Sequence, residues 1–296
     1  MADSALLEPG WRETMLTANG VRLHVVEAGE PDAPLVLLLH GFPEFWWGWR
    51  RQINALAEVG YHVVVPDLRG YNDSEVPQGV AAYQLDILAD DVVALADAYD
   101  ADRFHLVGHD WGGVISWWVA ARHPERLRHL VVMDAPHPGV WLRQVLRHPS
   151  QALRSTYAAF FQLPLVPEAV LGSFNFTALR AMMRRTAREG TFDPGDLDRY
   201  AAAWSHPGSL TGMLNYYRAL VRREEAPPAR ITPPTLILWG ENDAALELHI
   251  AERALELCDD GRLVVVENAS HWLHLEQPHR INAELVDFLG KPGLSR

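Results

Sequence analysis

The feature that most restricts this chain is a series of short apolar runs with almost no polar alternation. Residues 21–28, 35–40, 62–66, 104–108, 129–133, 235–239 and 263–267 are dominated by Val and Leu. A strand with one wet face alternates, so runs like these are expected where both faces of a sheet are covered. Helical patterns separate them. In 84–99, Leu85, Leu88, Val92, Leu95 and Tyr99 recur at steps of three and four, which makes one apolar stripe. Residues 112–122, stopped by His123-Pro124, and 245–257 each follow a strand, and 278–289 opens with Pro278 at a position suited to a first helical turn. This alternation predicts a doubly wound α/β sheet.

The alternation breaks between 135 and 228. That stretch has helical patches at 140–146, 155–161, 178–188 and 210–223 but no convincing strand, and Ala226-Pro-Pro-Ala-Arg230 marks its exit. The strand pattern then resumes at Thr235 and must complete the first sheet. The expected organisation is therefore a core of 1–134 and 229–296 with a helical insertion at 135–228, rather than two independent domains.

Composition narrows the function. Lys plus Arg number 26 against 38 Asp plus Glu, a formal charge of −12 over 296 residues, so nothing here would neutralise a run of phosphates and nucleic acid is not an expected partner. The single cysteine, Cys258, can form neither an intrachain disulfide nor a cysteine metal cluster. The first residues, Met1-Ala-Asp-Ser-Ala-Leu-Leu-Glu-Pro9, lack a basic segment and a long apolar stretch, so no signal peptide, no membrane insertion and a cytoplasmic location are expected.

Four short motifs carry chemistry. Gly108-His109-Asp110-Trp111-Gly112-Gly113 lies between a buried strand and a helix. Small residues two before and two after the central position permit the sharp turn of a nucleophile elbow, with Asp110 at its tip. An Asp there would also serve as an ordinary helix N-cap. His40-Gly41-Phe42-Pro43-Glu44 follows the strand at 35–39 and can turn a backbone N–H toward the same cavity. The amides of Phe42 and Trp111 would then form an oxyanion hole. Phe42-Pro43 is a candidate cis bond, and at least two of Trp46, Trp47 and Trp49 are expected to pack rather than bind. Trp239-Gly240-Glu241-Asn242-Asp243 and Asn268-Ala269-Ser270-His271-Trp272 each sit just past a strand. Asp243 is preferred to Glu241 on its spacing, and His271 is singled out by position among 14 histidines. The order Asp110, Asp243, His271 is nucleophile, acid, histidine.

With Asp67-Leu-Arg-Gly-Tyr71, these motifs make the sequence resemble, nearly end to end, an α/β-hydrolase-fold epoxide hydrolase. The resemblance implies a mostly parallel sheet with a helical lid carrying two tyrosines. Tyr157, in 155–162, and Tyr217, in Leu214-Asn-Tyr-Tyr-Arg218, are the candidates. Tyr216 stands where the family usually has Trp, and Asn72 where it usually has Gly. His40, Pro43, Glu44 and Trp272 fall around or behind the pocket, with structural roles open for Glu44 and Asp67. The implied reaction opens an apolar epoxide to a vicinal diol through an ester on Asp110, hydrolysed by water that His271 and Asp243 activate. It needs no metal and no organic cofactor, and the chain would act as a monomer or homodimer. Haloalkane dehalogenases share the carboxylate displacement but favour Asn where Phe42 stands. The remaining alternative is a small-molecule receptor that keeps the fold without the chemistry.

Overall fold

The apolar runs pair side by side in one eight-stranded sheet in a computed structural model that describes residues 6–221 and 230–290. The strands are β1 (Arg12–Ala18), β2 (Val21–Ala28), β3 (Leu35–Leu39), β4 (His62–Pro66), β5 (Phe104–His109), β6 (Leu127–Met133), β7 (Thr235–Gly240) and β8 (Gly261–Val266). They lie in the order β1-β2-β4-β3-β5-β6-β7-β8. The β1–β2 and β2–β4 pairs are antiparallel and the other pairs are parallel. Every residue of β3, β4, β5 and β7 is buried, as expected of strands covered on both faces. The one strand without an apolar run is β1. It forms an edge, pairs only with β2 and leaves most of its residues at least partly exposed, so polar residues fit it and the pattern that marks the other strands is missing.

Helices α1 (Ile53–Ala57), α2 (Leu85–Ala98) and α3 (Trp111–Arg122) follow β3, β4 and β5. Between β6 and β7 come α4 (Pro138–Arg147), α5 (Pro149–Arg154), α6 (Thr156–Phe160), α7 (Val166–Thr186), α8 (Pro194–Trp204) and α9 (Ser209–Leu220), with no strand among the described residues. Helix α10 (His249–Leu255) follows β7, and α11 (Leu273–Glu276) and α12 (Pro278–Leu289) follow β8. The expected exit at 226–230, the boundary at 228–229 and the last residues of the patch at 210–223 fall wholly or largely outside the described residues. No described helix is long and apolar enough to cross a membrane.

The first half of one helix and the whole of the next lie outside the expected helical patches. Helix α7 is interrupted at Ser173–Phe176, where Phe174, Asn175 and Phe176 have φ of 51°, 53° and 57°; only its second half presents the repeat seen from residue 178. Helix α8 begins with a capping box, Asp193 accepting from the Asp196 amide while the Asp196 side chain accepts from the Asp193 amide, a start signal written with Asp in place of the commoner Ser or Thr and Glu.

Close backbone approach sets the geometry at the carboxyl ends of the strands. A Cβ on Gly112 would lie 2.1 Å from the Leu39 carbonyl oxygen, so the start of α3 sits directly on the end of β3. The turn after β4 is tied down by charge. Arg69 is buried and makes a two-pronged pair with Asp91 of α2, and its carbonyl accepts from the Tyr216 hydroxyl of α9 at 2.9 Å. Removing one partner of a buried pair strands the other charge and costs about 3–5 kcal/mol, whereas an exposed pair contributes about 0–1 kcal/mol. Asp91→Ala should lower the unfolding free energy in urea by that larger amount. Glu256→Ala, which breaks an exposed pair with Arg253, should change it by less than about 0.5 kcal/mol.

Candidate active site

Asp110 forms the turn from β5 into α3, with φ 48° and ψ −117°. This is a costly backbone for a residue with a Cβ, and it projects the carboxylate away from the helix. The side chain makes no cap to α3; Oδ1 instead accepts from the Phe42 amide at 2.7 Å. Gly41 leaves the necessary space, since a Cβ there would lie 2.4 Å from the Asp110 Cβ. Trp111 is the first residue of α3, and a first-turn N–H has no intrahelical acceptor.

His271 reaches the same point from the loop after β8. Its Nε2 stands 3.6 Å from Asp110 Oδ2, and its Nδ1 lies 2.8 Å from Asp243 Oδ2. Asp243 is itself fixed: Oδ1 accepts from the amides of Ala245 at 2.6 Å and Leu246 at 3.0 Å. Its carbonyl accepts from Arg154 at 2.7 Å. The competing Glu241 accepts from the Asn268 amide at an exposed position, so it braces a turn. The loop that carries His271 is held from behind by His109, whose Nε2 donates to the His271 carbonyl at 2.8 Å while Nδ1 lies 3.0 Å from Glu44. Tyr200 of α8 donates to the other oxygen of Glu44 at 3.1 Å.

The remaining motif residues divide by contact. His40 donates through Nδ1 to the Gly41 carbonyl and accepts at Nε2 from the Leu68 amide, both at 3.0 Å. Burial lowers its pKa; it shapes the turn as a neutral ring. The Phe42-Pro43 bond is cis, and the Pro43 carbonyl accepts from Trp204 of α8 at 2.6 Å. Asp67 accepts from the Trp46 amide and the Asn72 side chain and pairs with His24; Asn72 takes a left-handed φ of 44°. Trp46, Trp47 and Trp49 are buried in a 3-10 turn. Trp272 lines the cavity and donates to Thr186 of α7 at 3.0 Å.

Two adjoining pockets, about 500 Å³ and 650 Å³ of empty space, share Asp110, Tyr157 and Tyr217. One is walled by Trp111, Val114, Trp141 and Leu220, the other by Phe42, Met182, His271 and Trp272. The Tyr217 ring is wedged between Trp111 and Phe161, each 4.9 Å away between centroids, and meets Tyr157 edge-on at 5.9 Å. Tyr216 meets Trp111 edge-on at 5.4 Å but turns its hydroxyl elsewhere. Its hydroxyl is spent on Arg69 and its ring packs on Tyr71 and Tyr83.

The site sets an ionised carboxylate opposite two phenols. Burial favours a neutral Asp110, but His271, His109 and the Phe42 amide outweigh it and hold the carboxyl below its usual value. Burial also opposes a charged His271; Asp243 and Asp110 reverse this and raise it well above the usual imidazole value. Burial and the Asp110 charge push both Tyr157 and Tyr217 upward, so they stay phenols. Sequence reasoning passed over two groups. His109 looked like part of the elbow consensus. Asp134, buried at the end of β6 with a φ of 41°, accepts from the Gly240 amide at 2.8 Å. A carboxylic acid directly after the apolar run 130–133 was the available signal.

The sequence matches the α/β hydrolase fold family over residues 34–278. It is 41% identical over 275 residues to AB hydrolase superfamily protein YfhM of Bacillus subtilis (strain 168), covering 93% of this chain and 96% of that one. It is 40% identical over 277 residues to epoxide hydrolase 4 of Homo sapiens, covering 92% of this chain and 76% of that one. The crystal structure of Bacillus megaterium epoxide hydrolase in complex with an inhibitor superposes with a TM-score of 0.86 at 31% identity, over 93% of this chain and 99% of that one. The chain therefore belongs to the α/β-hydrolase family and, within it, to the epoxide hydrolases.

The raised His271 pKa depends on two carboxylates, so removing one should lower it. The imidazole titration midpoint followed by NMR is expected to fall in Asp110→Asn relative to the parent. An unchanged midpoint would mean that Asp110 and His271 are not coupled.

Proposed function

We propose that the protein hydrolyses apolar epoxides to vicinal diols in two steps on Asp110. The observation that carries this reading is the convergence of an ionised carboxylate with two phenols, Tyr157 and Tyr217, lining the same cavity. The helices between β6 and β7 then act as a lid that supplies both phenols. An epoxide needs attack at carbon and hydrogen bonds to a departing oxygen. Asp110 attacks one ring carbon, the carbon–oxygen bond breaks, and one tyrosine gives its proton to the alkoxide while the other holds it by a hydrogen bond. The product is a hydroxyalkyl ester.

Esterification consumes the Asp110 charge that held the His271 proton. The imidazolium then returns a proton to the tyrosinate and is left as a neutral base, oriented by Asp243. His271 takes a proton from water, and the hydroxide attacks the ester carbonyl. The amides of Phe42 and Trp111 hold the oxyanion. Collapse expels the diol alkoxide, which takes the proton from His271. The regenerated Asp110 carboxyl passes its own proton back to the imidazole. A halide would gain little from two phenols, so diol and halide measured together on a panel of epoxides and haloalkanes test the assignment; release of halide without diol would reject it.

The roles separate by half-reaction. Asp110→Ala should form no diol. His271→Gln should still be alkylated but not turn over, and intact-mass measurement should find it heavier by one substrate. A folded His271→Gln protein that never gains this mass would overturn the two-step scheme.

The tyrosines carry a third expectation. Each of Tyr157→Phe and Tyr217→Phe removes one hydrogen bond to a developing alkoxide, worth about 3 kcal/mol or about a hundredfold in the alkylation rate. The double variant should be nearly inactive. Tyr216→Phe removes a bond to the Arg69 carbonyl instead, so it should lower stability by about 1 kcal/mol with the alkylation rate within a few fold. Pre-steady-state alkylation rates and urea midpoints of the three single variants distinguish these outcomes.

A further inference from the structure

Asp134 sits at the end of β6 as Asp110 sits at the end of β5, and no step above uses it. Its side chain is fully buried. Oδ1 accepts from the Gly240 amide at 2.8 Å, but Oδ2 has no hydrogen-bond partner. A buried polar atom left unpaired costs stability and calls for a reason. Around it, ring nitrogens of His109 and His271 and a carboxylate oxygen of Asp134 all lie within 4.8 Å of one another.

We infer that Asp134 is a second positioning carboxyl for His271, standing behind Asp243 and able to take over the imidazole when Asp243 cannot hold it. Two adjacent buried carboxyls beside one imidazole do not both ionise readily. Asp243 has the better solvation, with two amides on one oxygen and His271 on the other. Asp134 has one amide and meets the charge of Asp243. Burial first, and then Asp243, accordingly push its carboxyl well above the usual range, with His271 and the Gly240 amide opposing and Glu276 adding to the rise. It is the protonated member of the pair. Loss of the Asp243 charge removes the repulsion, lets Asp134 ionise, and leaves His271 with a counterion. The inference rests on the displacement reading, because it concerns the base of the second step.

A double-mutant cycle with Asp243→Asn and Asp134→Asn tests it, with alkylation of Asp110 and hydrolysis of the ester measured separately by rapid mixing and mass spectrometry. Asn tolerates the left-handed turn at 134 and keeps an oxygen for the Gly240 amide; a thermal melt checks each fold. Hydrolysis should slow about tenfold in Asp243→Asn, about threefold in Asp134→Asn and more than about a thousandfold in the double variant, a coupling of the size seen between groups in one network. The residual hydrolysis of Asp243→Asn should rise with pH as Asp134 ionises, a limb absent from the double variant and one that a packing role would not produce. In the parent at neutral pH, infrared difference spectra should contain a protonated carboxyl band that disappears in Asp134→Asn. Additive losses, or the same pH profile with and without Asp134, would overturn the inference while leaving the displacement scheme standing. Absence of Asp110 alkylation in the parent itself would overturn the scheme, so the two failures are distinct.

Discussion

The site depends on one backbone constraint, the left-handed turn at Asp110 between β5 and α3. The turn keeps the carboxylate off the helix it begins and delivers it to the Phe42 amide. It can exist only because side chains are missing nearby. Gly112 lets α3 start against the Leu39 carbonyl, and Gly41 leaves room for the Asp110 Cβ itself. A strained residue persists when its surroundings over-determine it, and here the parallel pairing of β5 with both β3 and β6 fixes the strand end on each side. The other groups of the site are then placed by strand ends as well. Phe42 follows β3, Asp134 ends β6, Asp243 follows β7 and His271 follows β8, as expected of an open sheet whose crevice lies at the carboxyl ends of its strands.

Once gathered, these groups form a charge system rather than a set of independent residues. Asp110 is ionised because His271 is near, and His271 holds its proton because Asp110 and Asp243 are near. Such an arrangement suits a reaction that removes a charge in its first step. In the reaction proposed above, an ester at position 110 carries none, so the change in His271 from acid to base would follow from the alkylation itself and require no rearrangement of the chain. The phenols are tuned in the opposite sense: burial, and then the charge of Asp110, raise Tyr157 and Tyr217 and keep both protonated.

Legibility in the sequence followed the physical origin of each feature. The parallel strands were readable because burial on both faces forbids polar alternation, as β3, β4, β5 and β7 display. The edge strand β1 lacked that constraint and gave no signal. In the helical insertion, α8 carries a short stripe of Leu197, Tyr200, Ala201 and Trp204 behind an acidic capping box, and the break at Ser173–Phe176 separates the first half of α7 from the repeat of the second. Asp110, Asp243 and His271 were marked by their positions after strands, and the structure brings them within hydrogen-bonding or near-hydrogen-bonding distance. His109 and Asp134 were not marked, because what distinguishes them is a neighbour remote in the chain: Glu44 and the His271 carbonyl for one, the Gly240 amide for the other.

Tyr216 and Tyr217 show how the helical insertion joins fold to chemistry. They are consecutive on α9, so a helix must point them about 100° apart. One hydroxyl is used on the Arg69 carbonyl, in a turn that Asp91 locks from α2. The other ring is gripped by Phe42, Trp111 and Phe161 and lines the pocket beside Asp110. The first residue braces α9 against the core through its hydroxyl and its ring, and the helix carries the second ring to the pocket. Phe42 enters twice, through its backbone amide to the Asp110 carboxylate and through its ring against Tyr217, which Trp111 meets from the start of α3. The placement of Tyr217 beside Asp110 is thus a property of core packing, because the ring that meets the phenol belongs to the residue whose amide holds the carboxylate.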